Sequence, residues 1–147
     1  MKDFETLFKV NLKSWIEGAI EKTRQGKPWK CAWIETGISL EVTSSCAEKF
    51  CPMAATRTLY ELGRIKNSGM PFKEPSLRQV CDYSKNGAYA ILALRIIAEE
   101  PEISQGDLWK RVKILFEYEL GDKPAKTDQG AATIAFKLWK SKLIVTN

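Results

Sequence analysis

The sequence of 147 residues contains no histidine. Histidine is the commonest general base at neutral pH and a frequent metal ligand, so its absence excludes Ser–His and Cys–His nucleophile pairs and most catalytic metal sites. The phosphate-binding pattern GxxxxGK[ST], the dinucleotide pattern GxGxxG and the hydrolase pattern GxSxG are missing as well. These absences predict a protein that is not an enzyme, with no catalytic residues and no cofactor.

The four cysteines, Cys31, Cys46, Cys51 and Cys81, form no CxxC pair. With no histidine to complete a zinc site, a metal centre would need all four cysteines at irregular spacing, which is not a zinc-site pattern. Each cysteine has apolar neighbours, as expected of buried thiols in a reducing compartment. We therefore predict four free, buried cysteines and no metal.

Long hydrophobic runs are also missing. The apolar stretches extend over only a few residues, and the segment KDFETLFK carries acidic residues where a signal peptide needs an unbroken apolar stretch. The sequence therefore predicts no membrane-spanning helix, no membrane partner and a cytoplasmic location.

Apolar residues make up 44% of the chain, which is enough for a core in one domain of this length. The chain has 23 Lys and Arg against 18 Asp and Glu, and this excess is divided evenly between residues 1–74 and 75–147. Clustered cations favour a phosphate-bearing partner because binding releases counterions, although interleaved acids weaken that inference.

Helix boundaries in the first half are marked by capping residues, prolines and glycines. The predicted starts are Asp3, Pro28 and Pro52, and the predicted ends are Gly26, Gly37 and Gly63. A capping box of Ser45 and Glu48 precedes the third helix. The segment ISLEVTSS alternates apolar and polar residues, and it is interpreted either as a brief strand or as a buried connector.

The order of elements starts again after the turn-rich joint NSGMPFKEPS. Three helices are predicted behind the capping residues Ser84, Ser104 and Thr127. Pro101 ends the first of these helices, and Gly121 ends the second.

The stretches CPMAATRTLYELGRI and GAATIAFKLWKSKLI share an order of residues. Three pairs lie 79 residues apart, namely Leu59 and Leu138, Tyr60 and Trp139, and Ile65 and Ile144; Trp33 and Trp109 lie 76 apart. Small helical units commonly gain a core by stacking on a copy. We predict an all-α fold of two related, helix-turn-helix-like three-helix units, residues 1–74 and 75–147, packed as one domain with at most short strand-like tails.

Four stretches, CPMAATRTLYELGRI, SKNGAYAILALRII, GDLWKRV and FKLWKSKLI, resemble an uncharacterised bacterial family of small duplicated helical proteins, a domain of unknown function. They lie in about the last two thirds of the chain. The resemblance implies the helical fold and a bacterial source. Because that family has no assigned activity, it implies no functional residue.

Three successive short helices are compatible with a helix-turn-helix unit, whose recognition helix enters the major groove. Polar residues on the two third helices are the candidate contacts to DNA or RNA: Arg57, Arg64, Gln129, Thr133, Lys137 and Lys140. In a second candidate patch, Lys27 and Lys30 flank Trp29, whose ring either stacks on a base or is buried against the first helix. Ordinary solvated helix faces explain the same charges.

The alternative function is a protein-interaction module or a homodimer. The first helix has a wide apolar face with Phe4, Phe8 and Trp15, and a small domain does not cover all of such a face. Uncovered apolar patches mark binding surfaces. Both hypotheses stay open on the sequence alone.

Overall fold

The computed structural model of the protein describes residues 11–145, which form eight α-helices. They are α1 Leu12–Arg24, α2 Trp29–Ser39, α3 Ser44–Ala47, α4 Phe50–Glu61, α5 Leu77–Tyr83, α6 Lys85–Glu99, α7 Gln105–Leu120 and α8 Ala131–Lys140. Within this range there is no strand, and Ile65 and Ile144 form one isolated antiparallel bridge. None of these helices is long and apolar enough to cross a membrane. The predicted all-α fold is confirmed.

Helix α6 is the centre of the fold. Ten of its 15 residues are buried, and it packs against α4, α5, α7 and α8. Its sequence is apolar on nearly every side, which is typical of a helix enclosed by others. Gly87 permits the close approach of α4, because a Cβ atom added there would lie 2.3 Å from the hydroxyl oxygen of Thr58.

A stack of aromatic rings joins α1, α2 and α4. The ring centroid of Trp33 lies 4.2 Å from that of Trp15 and 6.1 Å from that of Trp29. The Trp29 ring in turn stacks on Tyr60 at 5.1 Å, and its indole N–H donates to the Met53 carbonyl at 3.1 Å. Trp29 is buried in this stack, so the interpretation in which its ring stacks on a base is wrong.

The first described helix begins at Leu12. Asn11 before it has an extended backbone, and its side chain caps the helix. The single long helix predicted from Asp3 therefore does not continue through Asn11. The predicted positions Phe4 and Phe8 lie outside the described residues.

The predicted capping box of Ser45 and Glu48 is wrong. Ser45 lies inside the short helix α3, whose cap is Thr43, and the Thr43 hydroxyl accepts a hydrogen bond from the Cys46 N–H at 3.3 Å. Helix α4 begins at Phe50 with no side-chain cap. The Ser-rich segment thus caps its own short helix instead of the next one.

The predicted cap of the last helix at Thr127 is also wrong. The carboxylate of Asp128 accepts hydrogen bonds from the backbone N–H groups of Gly130 at 3.0 Å, Ala132 at 3.2 Å and Thr133 at 2.8 Å. One carboxylate satisfies several unpaired donors of the first turn and complements the positive end of the helix dipole. Asp128 therefore fixes the start of α8.

The caps of α6 and α7 agree with the prediction. The hydroxyl of Ser84 accepts from the Gly87 N–H at 3.0 Å, and that of Ser104 accepts from the Asp107 N–H at 3.2 Å. Gly121 ends α7 in the left-handed region, with φ of 72°.

None of the four cysteines forms a disulfide, as predicted, but only Cys46 is buried. Cys31 is exposed, and Cys51 and Cys81 are half-buried, so the predicted burial of all four is wrong. Desolvation by burial raises the pKa of the Cys51 and Cys81 thiols, which therefore stay neutral at pH 7. Residues 11–145 contain no group of three cysteine, aspartate or glutamate side chains placed to hold a metal ion.

Candidate nucleic-acid interface

Helices α4 and α8 are followed by short segments that pair with each other: residues 62–66 and 141–145, here named the paired tails. The backbone N–H of Lys66 donates to the Leu143 carbonyl at 2.8 Å, and that of Val145 donates to the Arg64 carbonyl at 2.8 Å. The two isoleucines of the bridge are buried. This pairing places the ends of the two helices side by side.

The two helix ends have the same local geometry. Gly63 and Lys142 have positive φ angles of 71° and 60°. The N–H of the next residue donates to the carbonyl five positions earlier, from Arg64 to Leu59 at 2.8 Å and from Leu143 to Leu138 at 3.0 Å. This is the bond of a Schellman motif, which pairs carbonyls left open at a helix end.

The paired tails belong to two segments that contain no acidic residue, residues 62–73 and 129–147. Their six cations are Arg64, Lys66, Lys73, Lys137, Lys140 and Lys142. The rest of the chain has 17 Lys and Arg against 18 Asp and Glu. The excess positive charge of the protein therefore comes from these two segments. Net charges summed over residues 1–74 and 75–147 do not reveal this cluster, because one of the two segments lies in each half.

The cations of the two acid-free segments form no ion pair within residues 11–145. Ion pairs within residues 11–145 involve other cations, namely Arg24, Lys27, Arg57, Arg78, Arg95 and Arg111. Lys66, Lys140 and Lys142 are exposed, and Lys137 is half-buried. The Lys140 ammonium lies 5.4 Å from the centre of the Phe136 ring, a cation–π contact that adds no negative charge. The predicted contacts Lys137 and Lys140 thus belong to a basic surface.

A small pocket of about 200 Å³ lies between the paired tails. It is lined by Lys66, Trp139, Lys142 and Ile144. One lysine comes from each tail, and the half-exposed Trp139 is the last aromatic residue of α8. The pocket combines an aromatic surface with two positive charges.

Arg64 holds the loop that follows its tail. Its guanidinium donates to the Lys73 carbonyl at 2.7 Å and lies 4.2 Å from the centre of the Phe72 ring. Desolvation by burial lowers the pKa of Arg64, and the nearby Glu74 opposes this effect. Arginine remains charged at neutral pH. Arg64 therefore adds positive potential here, while its guanidinium is engaged by the Lys73 carbonyl and the Phe72 ring.

Arg57 is neutralised by its neighbours on α4 and α5. It forms an ion pair with Glu61 at 3.3 Å and lies 5.6 Å from the centre of the Tyr83 ring. The Tyr83 hydroxyl donates to the same carboxylate at 2.6 Å. Desolvation by burial, and then the hydrogen bond to Glu61, raise the pKa of Tyr83. Arg57 therefore offers less charge to a phosphate than the predicted helix face implied.

The predicted polar stripe on α8 is exposed only in part. Thr133 is buried, and its hydroxyl accepts a hydrogen bond from the Gln105 amide at 3.1 Å and donates to Asp128. Gln129 is exposed, but its amide donates to the Thr127 hydroxyl at 2.7 Å. The first five residues of α8 are all buried. This half of the helix therefore cannot enter a DNA groove.

The second predicted patch, around Trp29, has no exposed aromatic ring. Lys27 forms an ion pair with Glu35 at 2.5 Å, and Lys30 is exposed on α2. Trp29 between them is buried. The patch therefore has one unpaired cation and no exposed ring.

The apolar face predicted for the first helix is covered where the structure describes it. Trp15 is fully buried and donates its indole N–H to the Trp33 carbonyl at 2.8 Å. A Cβ atom added to Gly37 would lie 2.6 Å from the Trp15 ring, so α2 approaches this ring closely. Trp15 therefore belongs to the core and is not available to a partner.

No protein family, curated protein or solved structure matches this chain. The resemblance to an uncharacterised bacterial family stays a prediction.

Proposed function

We propose that this protein binds nucleic acid through the paired tails. The observation that carries the proposal is that the two acid-free segments, distant in sequence, are joined by backbone hydrogen bonds. Phosphate binding to such a cluster releases condensed counterions and so gains free energy. An anionic polymer is the partner that matches this surface.

The contact is made by the paired tails and the adjoining last residue of α8, Lys140, and not by inserting a recognition helix. A helix-turn-helix unit needs the first turns of its recognition helix to contact bases. In α8 those turns are buried, and on α4 the charge of Arg57 is balanced by Glu61. Lys66, Lys140 and Lys142 are exposed instead. These three lysines are the proposed phosphate contacts.

We also infer that α4 and α8, with their tails, are related copies within two units, residues 1–74 and 75–147. Their last residues, Glu61 and Lys140, lie 79 residues apart, as do the buried Leu59 and Leu138. The shared helix-end geometry supports this inference. The preceding helices pack differently, because α6 lies against both α4 and α8 whereas α1 packs mainly on α2. The inference therefore rests on the last helix of each unit.

Replacing Lys66, Lys140 and Lys142 together by alanine should weaken nucleic-acid binding and flatten its salt dependence. Each lost phosphate contact removes about 0.7 to 0.9 from the slope of log affinity against log salt. We expect the slope to fall by about two to three in the triple variant. Fluorescence anisotropy of labelled oligonucleotides between about 50 and 200 mM salt measures it.

A matched triple variant controls for net charge. Lys13, Lys110 and Lys123 are exposed lysines outside the two acid-free segments, and their replacement by alanine removes the same charge. This control should leave the slope nearly unchanged, because none of its three lysines is a proposed phosphate contact. An equal loss in both triples would contradict a site at the paired tails, and a parent that binds neither DNA nor RNA at low salt would contradict the function.

A second candidate function, self-association, is favoured by one surface on α7. Ile114 and Tyr118 lie one turn apart and are 67% and 84% exposed. Lys113 and Glu117 lie beside them, so a copy related by a two-fold axis presents opposite charges to each. Exposed apolar patches of this kind mark interaction surfaces.

Substituting Ile114→Ser and Tyr118→Ser together should weaken a homodimer at least tenfold, because both apolar contacts are lost from each subunit. Sedimentation velocity over a concentration series measures the dissociation constant. Phe50→Ser, at a residue 69% exposed on α4, is the control and should leave it unchanged. A parent that stays monomeric over the whole series would rule out this second function.

A further inference from the structure

Trp139 differs from the other tryptophans in the surroundings of its ring. Three of them form the buried stack described above, and Trp109 packs edge-on against Tyr89 with centroids 5.2 Å apart. Trp139 is half-exposed, and none of the ring contacts within residues 11–145 involves it. Its ring therefore presents an aromatic surface that the described part of the fold does not use for stacking.

The Trp139 ring is positioned by the end of α8. Leu138, the preceding residue, is fully buried, and the Trp139 carbonyl accepts a hydrogen bond from the Lys142 N–H at 2.9 Å. The ring itself packs partly against the core. Trp139 is thus a partly packed aromatic platform at the end of α8.

Two cations flank the platform. Lys66 and Lys142 line the same pocket as Trp139, and the buried Ile144 also lines it. The backbone of Lys66 is held by its hydrogen bond to the opposite tail. The distance between the two lysine backbones is therefore set by the fold before any ligand binds.

An aromatic ring between two cations matches the chemistry of a single-stranded nucleic acid. Proteins that bind single strands stack bases on aromatic side chains while cations contact the adjacent phosphates. In a duplex both faces of each internal base are covered by neighbouring bases, so stacking on the protein would first require unpairing. A duplex is therefore limited to the lysines, whereas a single strand uses the ring as well.

The geometry points to Trp139 as a stacking site for one base of single-stranded DNA or RNA, with Lys66 and Lys142 contacting the phosphates on either side. This assignment rests on the proposed nucleic-acid function and adds a preference for single strands.

The test compares a labelled single-stranded oligothymidylate with a labelled duplex of the same length. Trp139→Leu keeps an apolar side chain against the core but removes the aromatic surface. It should weaken single-strand binding by about 5- to 150-fold, the usual effect of losing one stacking contact. Duplex binding and the salt slope should stay unchanged, because no charge is removed. Trp139→Phe should restore most of the single-strand affinity.

Phe50→Leu is the matched control, since it removes an aromatic ring that is more exposed and lies at the start of α4. It should leave both affinities unchanged. Thermal unfolding of each variant, followed by circular dichroism, verifies that the fold is kept. If Trp139→Leu unfolds the protein, quenching of tryptophan fluorescence by the oligothymidylate, present in the parent and reduced in Trp139→Phe, serves as the measurement.

The outcomes separate this assignment from the proposed function. Equal weakening of single-strand and duplex binding in Trp139→Leu, or weakening of neither, would overturn the stacking site while the lysine triple variant still tests the paired tails. A parent that binds duplex as tightly as the single strand would overturn it as well. Absence of binding to both oligonucleotides at low salt would overturn the function and the stacking site together.

Discussion

Leu138→Ala is expected to lower the free energy of unfolding by about 2 to 5 kcal/mol, and Leu59→Ala by a similar amount. Both leucines are fully buried, in helices that pack against each other and against α6. The substitution removes apolar atoms from the core and leaves a cavity, which the surrounding helices do not fill because α6 is enclosed by four neighbours. Urea unfolding followed by circular dichroism measures the loss.

Ile114→Ala provides the comparison for these two leucines. Ile114 is 67% exposed, so its truncation should change the free energy of unfolding by less than about 0.5 kcal/mol. A change as small as this at Leu59 or Leu138 would show that the helix in question does not pack as the structure has it.

Much of the helical fold was predictable because its signals are local. The caps Ser84 and Ser104, the glycine at the end of α7 and the buried Leu59 and Leu138 all follow from a few neighbouring residues. The cap of α8 did not, because the choice of Asp128 over Thr127 depends on the path of the loop before the helix. Where a predicted capping residue was wrong, the actual one lay one or two positions away: Asp128 in place of Thr127, and Thr43 in place of Ser45.

Two segments show where periodicity misleads. The alternation in ISLEVTSS left open a brief strand or a buried connector, but α2 continues past Gly37 to Ser39 and so includes the start of this segment. Gly37 lies inside the helix, where a Cβ atom would be 2.6 Å from the Trp15 ring. Helix α5 was not predicted, since its seven residues bury only Val80. The sequence did carry one signal for it, the capping box in the SLRQ stretch that precedes VCDY.

The candidate site was predictable only in part. Lys137 and Lys140 were identified from their helix face, and they lie on the basic surface. Arg64 and Thr133 were assigned in the same way, but their partners, the Lys73 carbonyl and Gln105, could not be read from a helical wheel. The pairing of the tails is a long-range contact and left no local signal. The sequence does carry one signal for it, the absence of acidic residues in 62–73 and 129–147. The net charges of residues 1–74 and 75–147 do not show this signal, because each half contains one of the two segments.

Gly63→Ala is expected to destabilise the protein more than Gly121→Ala. Both glycines have left-handed backbones, with φ of 71° and 72°. Alanine in this region costs roughly 1 to 2 kcal/mol wherever it occurs. A Cβ atom at Gly63 would also lie 2.3 Å from the Pro71 carbonyl oxygen and 2.8 Å from the Phe72 nitrogen, whereas nothing lies within 4 Å at Gly121.

The clash at Gly63 is with backbone atoms, so no change of rotamer relieves it, and the loop of residues 66–75 must move away from α4. Overpacking of this kind costs about 1 to 3 kcal/mol beyond the backbone term. The loop begins at Lys66, so its displacement should weaken binding to oligonucleotides as well, while Gly121→Ala should leave binding unchanged. Urea unfolding and anisotropy on the two variants measure both effects. Equal losses of stability at the two glycines would mean that the loop does not pack against Gly63. Unchanged binding in a destabilised Gly63→Ala variant would mean that the position of the loop does not affect the binding of oligonucleotides at the paired tails.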